Sequence, residues 1–143
     1  MRALSLLLVL ALSAFPCFAI AKPAVHYATK GAAVKAKAIT EGWVPDLLPS
    51  TSFNIWVVKN AATKESTGSF SFKPTDKERW HVQMHIPICG SWQMPPAALQ
   101  KEITSYRSSG GSGFQIIKKD FVWQISCKYG VGDCKFWKWV NMQ

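Results

Sequence analysis

The residues best equipped for chemistry gather toward the C-terminus. Cys127 and Cys134 bracket a glycine-rich stretch, Lys128-Tyr129-Gly130-Val131-Gly132-Asp133. If the flanking segments pair across this turn with the cysteines opposite one another, the same register sets Ile125 against Phe136 and Phe121 against Val140 on one face. Crosslink and packing then agree, and a structural disulfide Cys127–Cys134 is expected. The pair lacks the C-x-x-C spacing of thiol-disulfide exchange enzymes. Cys89, in Pro87-Ile88-Cys89-Gly90, is left over and reads as a buried thiol, which behaves as a small hydrophobe. Its pairing with Cys127 or Cys134 is the alternative.

His81 and His85 stand four apart, which places two imidazoles on one side of a helix or strand. Two ligands are too few for a metal centre, and no acidic or cysteine partner sits at a matching spacing. Only eight carboxylates occur in the chain, with no evident acid–base pair and no serine-histidine-acid pattern. The expectation is a non-enzyme with no cofactor and no metal. A different chemistry is offered by Trp123, Trp137 and Trp139 interleaved with Lys128, Lys135 and Lys138. Such a basic, aromatic hairpin resembles a stacking surface for sugars or bases. Those six residues are the candidate binding set, and replacing Trp137 and Trp139 by alanine is expected to abolish binding without unfolding. Strand alternation sends adjacent aromatics to opposite faces, so a half-buried sheet with lysines covering its edge is the competing explanation.

Seventeen Lys and Arg against eight Asp and Glu give a formal charge of +9, which favours an anionic partner. The N-terminus narrows the choice. Arg2 precedes an apolar run from Leu4 to Ala14, too short to span a membrane, and Ala19-Ile20-Ala21 offers small residues for a signal peptidase. Cleavage is expected before Lys22, with a cut after Ala19 as second choice. Acylation at Cys17 is disfavoured by Phe15-Pro16 in front of it. Residues 1–21 are therefore read as a signal peptide and 22–143 as one domain, exported to the periplasm or secreted. Cleavage discards Cys17 and leaves Cys89, Cys127 and Cys134 in an oxidising compartment. The expected partner is an envelope protein, an anionic polymer or a membrane surface. Export argues against nucleic acid.

The elements that must position these residues follow from periodicity. Ala28, Ala32, Ala36, Ile39 and Trp43 recur every three or four positions and predict a helix ending near Gly42. Pro45 and Pro49 forbid a helix in the next stretch and predict an ordered connector pinned by Trp43 and Leu47. Phe53 to Lys59 and Gly68 to Phe72 read as a hairpin of two strands across a polar turn. Residues 75–86 conflict: Thr75 and Glu78 form a capping-box pattern, whereas Trp80 to Ile86 alternates as a strand, and the strand is preferred. Pro95-Pro96 opens a helix from Ala97 to Arg107 with Leu99, Ile103 and Tyr106 or Arg107 on one side. Ser108 to Gly113 reads as a flexible connector. Phe114 to Ile117, Phe121 to Tyr129 and Cys134 to Val140 read as strands, the last two a hairpin.

The segments Tyr27-Ala28-Thr29-Lys30, Glu41-Gly42-Trp43-Val44-Pro45-Asp46-Leu47-Leu48-Pro49-Ser50, Asn54-Ile55 and Thr67-Gly68-Ser69-Phe70-Ser71-Phe72 resemble a group of small bacterial envelope proteins and lipoproteins. Their shared pattern is a short helix, a G-W-[LV]-P-x-[FL]-L-P-x-[ST] connector and a hairpin. The resemblance covers about the first half of 22–143 and implies a bacterial source. It implies a helical segment after the second strand, and it carries no activity or site residues.

Together these features predict an α+β domain, an antiparallel sheet of about five strands with an N-terminal helix and one inserted helix. The expected function is non-catalytic binding of an anionic or envelope partner. The alternative is an inhibitor or immunity protein that acts on an envelope hydrolase through the Cys127–Cys134 loop.

Overall fold

The computed structural model describes residues 22–76 and 92–142. The expectations for the signal peptide, Cys17, His81, His85, Cys89 and residues 77–86 lie outside them. The described chain forms β1 (Ala24–Thr29), α1 (Lys30–Lys35), β2 (Phe53–Asn60), β3 (Glu65–Ser71), a single 3-10 turn (Pro74–Asp76), α2 (Ala97–Ser108), β4 (Ser112–Ile117), β5 (Phe121–Lys128) and β6 (Asp133–Val140). All strands join one antiparallel sheet in the order β1-β2-β3-β6-β5-β4. The α+β architecture is as expected, with six strands in place of about five.

The additional strand is β1, which occupies part of the stretch expected to be helical. The helix itself is six residues long. Thr29 caps it, its Oγ1 accepting from the Ala32 N–H at 3.1 Å. It stops at Lys35 because Lys37 turns into the left-handed region at φ 60°. The chain then winds back irregularly, so the buried alanines are Ala33 and Ala38, while Ala28 and Ala36 face solvent. The connector is likewise anchored one residue later than expected. Val44 and Leu48 enter the core, and Trp43 and Leu47 stay half-buried.

Elsewhere the periodicities translate directly. In β5 and β6 the predicted register holds, with Cys127 opposite Cys134, Ile125 opposite Phe136 and Phe121 opposite Val140. The disulfide Cys127–Cys134 is formed. In α2, Ile103 and Tyr106 are buried and Leu99 packs beside them. Ser112 and Gly113 belong to β4 rather than to a loop. Gly113 is required there, because a Cβ would strike the Ile125 carbonyl and the Ser126 hydroxyl of the neighbouring strand.

Alternation divides the apolar residues between two faces of the sheet. On one face Ile55, Val57, Phe70, Phe136, Ile125 and Trp123 pack beneath α1 and the connector. On the other, Val122, Trp137 and Trp139 pack beneath α2 with Ile103 and Tyr106. Tyr106 meets Trp137 edge to face at 6.1 Å, and its hydroxyl donates to the Asp133 carbonyl at 2.9 Å. Burial, followed by the Asp133 charge, pushes the Tyr106 pKa up to about 12.

Candidate functional site

Side-chain alternation in β6 decides the fate of the sequence-predicted binding set. Lys138 points to the connector face with Trp123, whereas Lys135, Trp137 and Trp139 point to the α2 face. Trp123, Trp137 and Trp139 are only 5%, 0% and 4% exposed. A stacking platform needs a free ring face, so these three indoles serve the core instead. Lys128 and Lys135 approach the Tyr106 ring at 5.1 and 5.5 Å at the far end of the sheet. The six residues therefore do not form one surface.

Two of them, Trp123 and Lys138, do meet in a cleft of roughly 410 Å³ between the connector and strands β4 to β6. Its apolar wall comes from Val44, Ile116, Phe121 and Trp123, and its polar groups are Glu41, Asp46, Lys118 and Lys138. Lys138 is the centrepiece. Its Nζ donates to the Gly42 carbonyl at 2.8 Å and lies 4.6 Å from the Phe121 ring centre, 5.6 Å from Trp123 and 5.7 Å from Trp43. Aromatic faces attract an ammonium group, and more strongly where water is scarce. Burial, followed by the nearby Lys64 charge, lowers the Lys138 pKa below its usual 10.5.

The connector is in place because other polar groups reach it as well. Lys30 donates to the carbonyls of Asp46 and Leu48, and Ser66 Oγ donates to the Trp43 carbonyl at 2.9 Å. Burial lowers the Lys30 pKa, partly offset by the Asp46 carboxylate. Gly42 sits at φ 72°, a conformation open to glycine and costly for a larger residue. Two lysines and a serine thus satisfy backbone carbonyls that the proline-interrupted chain cannot satisfy by itself.

A cluster of charge surrounds Lys138. Lys59 Nζ lies 5.5 Å from the Trp43 ring centre. Lys64, in the β2–β3 turn, is close enough to depress Lys138, Lys118 lines the same cleft, and Lys22 lines an adjoining hollow with Lys59 and Lys138. Three carboxylates share the region: Glu41 accepts from Trp43 Nε1 at 3.1 Å, Glu65 accepts from Thr63 Oγ1 at 2.8 Å, and Asp46 lines the cleft and acts on Lys30. Among the described residues the sole ion pair is Lys135–Glu102, at 3.5 Å on the opposite face. Trp43, Lys59 and Lys64 were absent from the sequence-predicted set. Trp43 and Lys59 are brought to Lys138 by the β2-β3-β6 order, which no local spacing announces. Among the described residues no three His, Cys, Asp or Glu side chains group to hold a metal ion.

Residues 22–71 are similar to the YbbD head domain family. That stretch holds β1, α1, the connector, β2 and β3, and therefore supplies Trp43, Lys59 and Lys64. Lys118, Phe121, Trp123 and Lys138 lie beyond it. No curated protein and no solved structure matches the chain.

Proposed function

We propose that the chain is an exported, non-catalytic envelope protein that binds an anionic partner at the end of the sheet around Lys138. One observation carries this reading: Lys22, Lys59, Lys64, Lys118 and Lys138 gather there, and among the described residues none forms an ion pair with a carboxylate. Lysines that outnumber the carboxylates around them and form no ion pair with them raise the local concentration of an oppositely charged partner. The rings of Trp43 and Phe121 add apolar surface beside the ammonium groups, which suits phosphate groups carried on a polymer or a lipid headgroup. The apolar N-terminal run with its small-residue cleavage site supports export. The test is sedimentation of the purified protein with vesicles of phosphatidylglycerol and phosphatidylcholine, with phosphatidylcholine alone as reference and soluble polyphosphate as competitor. Binding should require the anionic lipid, yield to polyphosphate and fade at high salt. Salt-insensitive binding, or equal binding to neutral vesicles, defeats the reading.

A second reading has its own observation. Val131, at the tip of the disulfide-braced β5–β6 turn, is 69% exposed. An apolar residue on a rigid protruding turn suits an inhibitor or immunity protein that inserts into an envelope hydrolase. The positive charge disfavours basic lysozymes as the target. Reducing the disulfide would abolish such inhibition while sparing polyanion binding.

A further inference from the structure

Strands β1, β2, β3 and β6 carry one row of side chains across the α2 face of the sheet: His26 opposite Trp56, Trp56 opposite Ser69, and Ser69 opposite Lys135. Neighbouring strands lie about 4.8 Å apart, so about 10 Å separates Trp56 from Lys135 along the row. At the Lys135 end the row opens into a hollow of roughly 420 Å³, whose other wall is α2 through Ala98, Lys101, Glu102 and Ser105. α2 thus covers the β5 and β6 end of this face, and Trp56 toward the other end remains 42% exposed.

The indole is held in a fixed position. Asn54 Oδ1 accepts from Trp56 Nε1 at 3.2 Å and lies 2.9 Å from His26 Nε2, and the imidazole rests against the indole with 4.4 Å between ring centres and a tilt of 31°. The imidazole supports one side of the ring, so the exposed surface lies on its remaining sides. Asn54 itself adopts φ 52°, within the irregularity that shifts the β2–β3 register between Phe53 and Trp56. A left-handed asparagine at a bulge is costly backbone, retained for the direction it gives the side chains around it.

The chemistry of the floor selects the occupant. On this face β3 presents Thr67, Ser69 and Ser71 and no apolar side chain; all three are half-buried, and none is bonded through its hydroxyl to another described residue. An apolar protein segment laid here would bury those hydroxyls unpaired, which is unfavourable. A purely ionic partner gains little, because Lys135 is already paired with Glu102 at 3.5 Å. A sugar chain meets both demands, offering C–H faces to the indole and hydroxyl groups to the serines and threonine. Equatorially linked pyranoses, as in cellulose and chitin, fit best, since their ring faces are flat and their extended chain follows a straight row. We propose that this face binds such a glycan chain, with one ring on Trp56 and the chain running over Ser69 toward the hollow at Lys135. Lys138 points to the opposite face of the sheet, and the two surfaces do not depend on each other.

The probes are cellohexaose and chitohexaose, titrated into the purified protein and followed by calorimetry and by the indole N–H signals in nitrogen–proton correlation spectra, with Trp56 assigned through Trp56→Phe. At least one hexasaccharide should bind, move the Trp56 signal and keep its affinity at high salt, because the ligand is uncharged. Trp56→Ala should weaken binding about tenfold or more, the effect of removing one ring that stacks on an aromatic face. Trp56→Phe, which keeps a ring, should lose less. The signal shift and the salt series on the unsubstituted protein stand even if Trp56→Ala folds poorly. Failure of both sugars to bind at millimolar concentration, binding that leaves the Trp56 signal or the Trp56→Ala affinity unchanged, or a dimer in sedimentation that Trp56→Ala dissolves would each overturn the proposal.

Discussion

Replacing Trp137 by alanine should strongly destabilise the fold, whereas replacing Trp56 should not. Trp137 is 0% exposed beneath α2, in edge contact with Tyr106. An indole buries about 200 Å², which at about 25 cal/mol per Å² corresponds to about 5 kcal/mol of gross transfer energy. The alanine left behind retains part of that contact, and the void adds a cost of its own, so a net loss of about 3–5 kcal/mol is expected. A domain of this size has about 5–15 kcal/mol in total. With a urea dependence of about 1–3 kcal/mol per M, the Trp137→Ala midpoint should fall by more than about 1 M. Trp56→Ala, at a 42% exposed position, should stay within about 1 kcal/mol. Circular dichroism during urea titration reads both. A Trp137→Ala protein as stable as the parent would refute the assignment of this indole to the core and restore the C-terminal hairpin as a surface.

Removing the Cys127–Cys134 bridge, by the double change to alanine, should lower stability by about 2–3 kcal/mol in the chain-entropy account of so short a loop, read as a shift in the urea midpoint. Lys138 predicts a pH effect of definite sign. Its folded pKa is lowered by burial, then by Lys64, so between that value and 10.5 the unfolded chain binds more protons than the folded one, and stability rises with pH across the window. Lys30 contributes in the same sense. Lys138→Met should reduce the rise, as measured by urea midpoints from pH 7 upward, and an unchanged slope would contradict the burial of the ammonium group.

Much of the C-terminal half was legible because its signals are strong and local. Pro95-Pro96 and the spacing of Leu99, Ile103 and Tyr106 define α2, and alternation on both sides of the Cys127–Cys134 turn gives the β5–β6 register. The N-terminal half misled for physical reasons. In β1 only Tyr27 is buried, so an edge strand of six residues shows no two-residue pattern. Alanines spaced three or four apart then imitated a helix that Lys37 ends in a left-handed turn. The site suffered from a similar limit. Lysines and tryptophans of the last strands are conspicuous, but which of them share a face with Trp43 depends on a contact 96 residues apart, Lys138 to Gly42. Sequence proximity joined Trp137 and Trp139 to Lys138, and strand alternation separated them.

The most direct test of the lysine cluster compares two triple variants that lose the same charge. One is Lys59→Gln, Lys64→Gln and Lys118→Gln. The other is Lys35→Gln, Lys73→Gln and Lys101→Gln, exposed positions outside the cluster. A basic residue near an anionic surface contributes about 1 kcal/mol, so the first triple should bind phosphatidylglycerol vesicles about 100-fold more weakly and the second should stay close to the parent. Equal losses in both would show that net charge alone governs attachment, contradicting a defined site around Lys138.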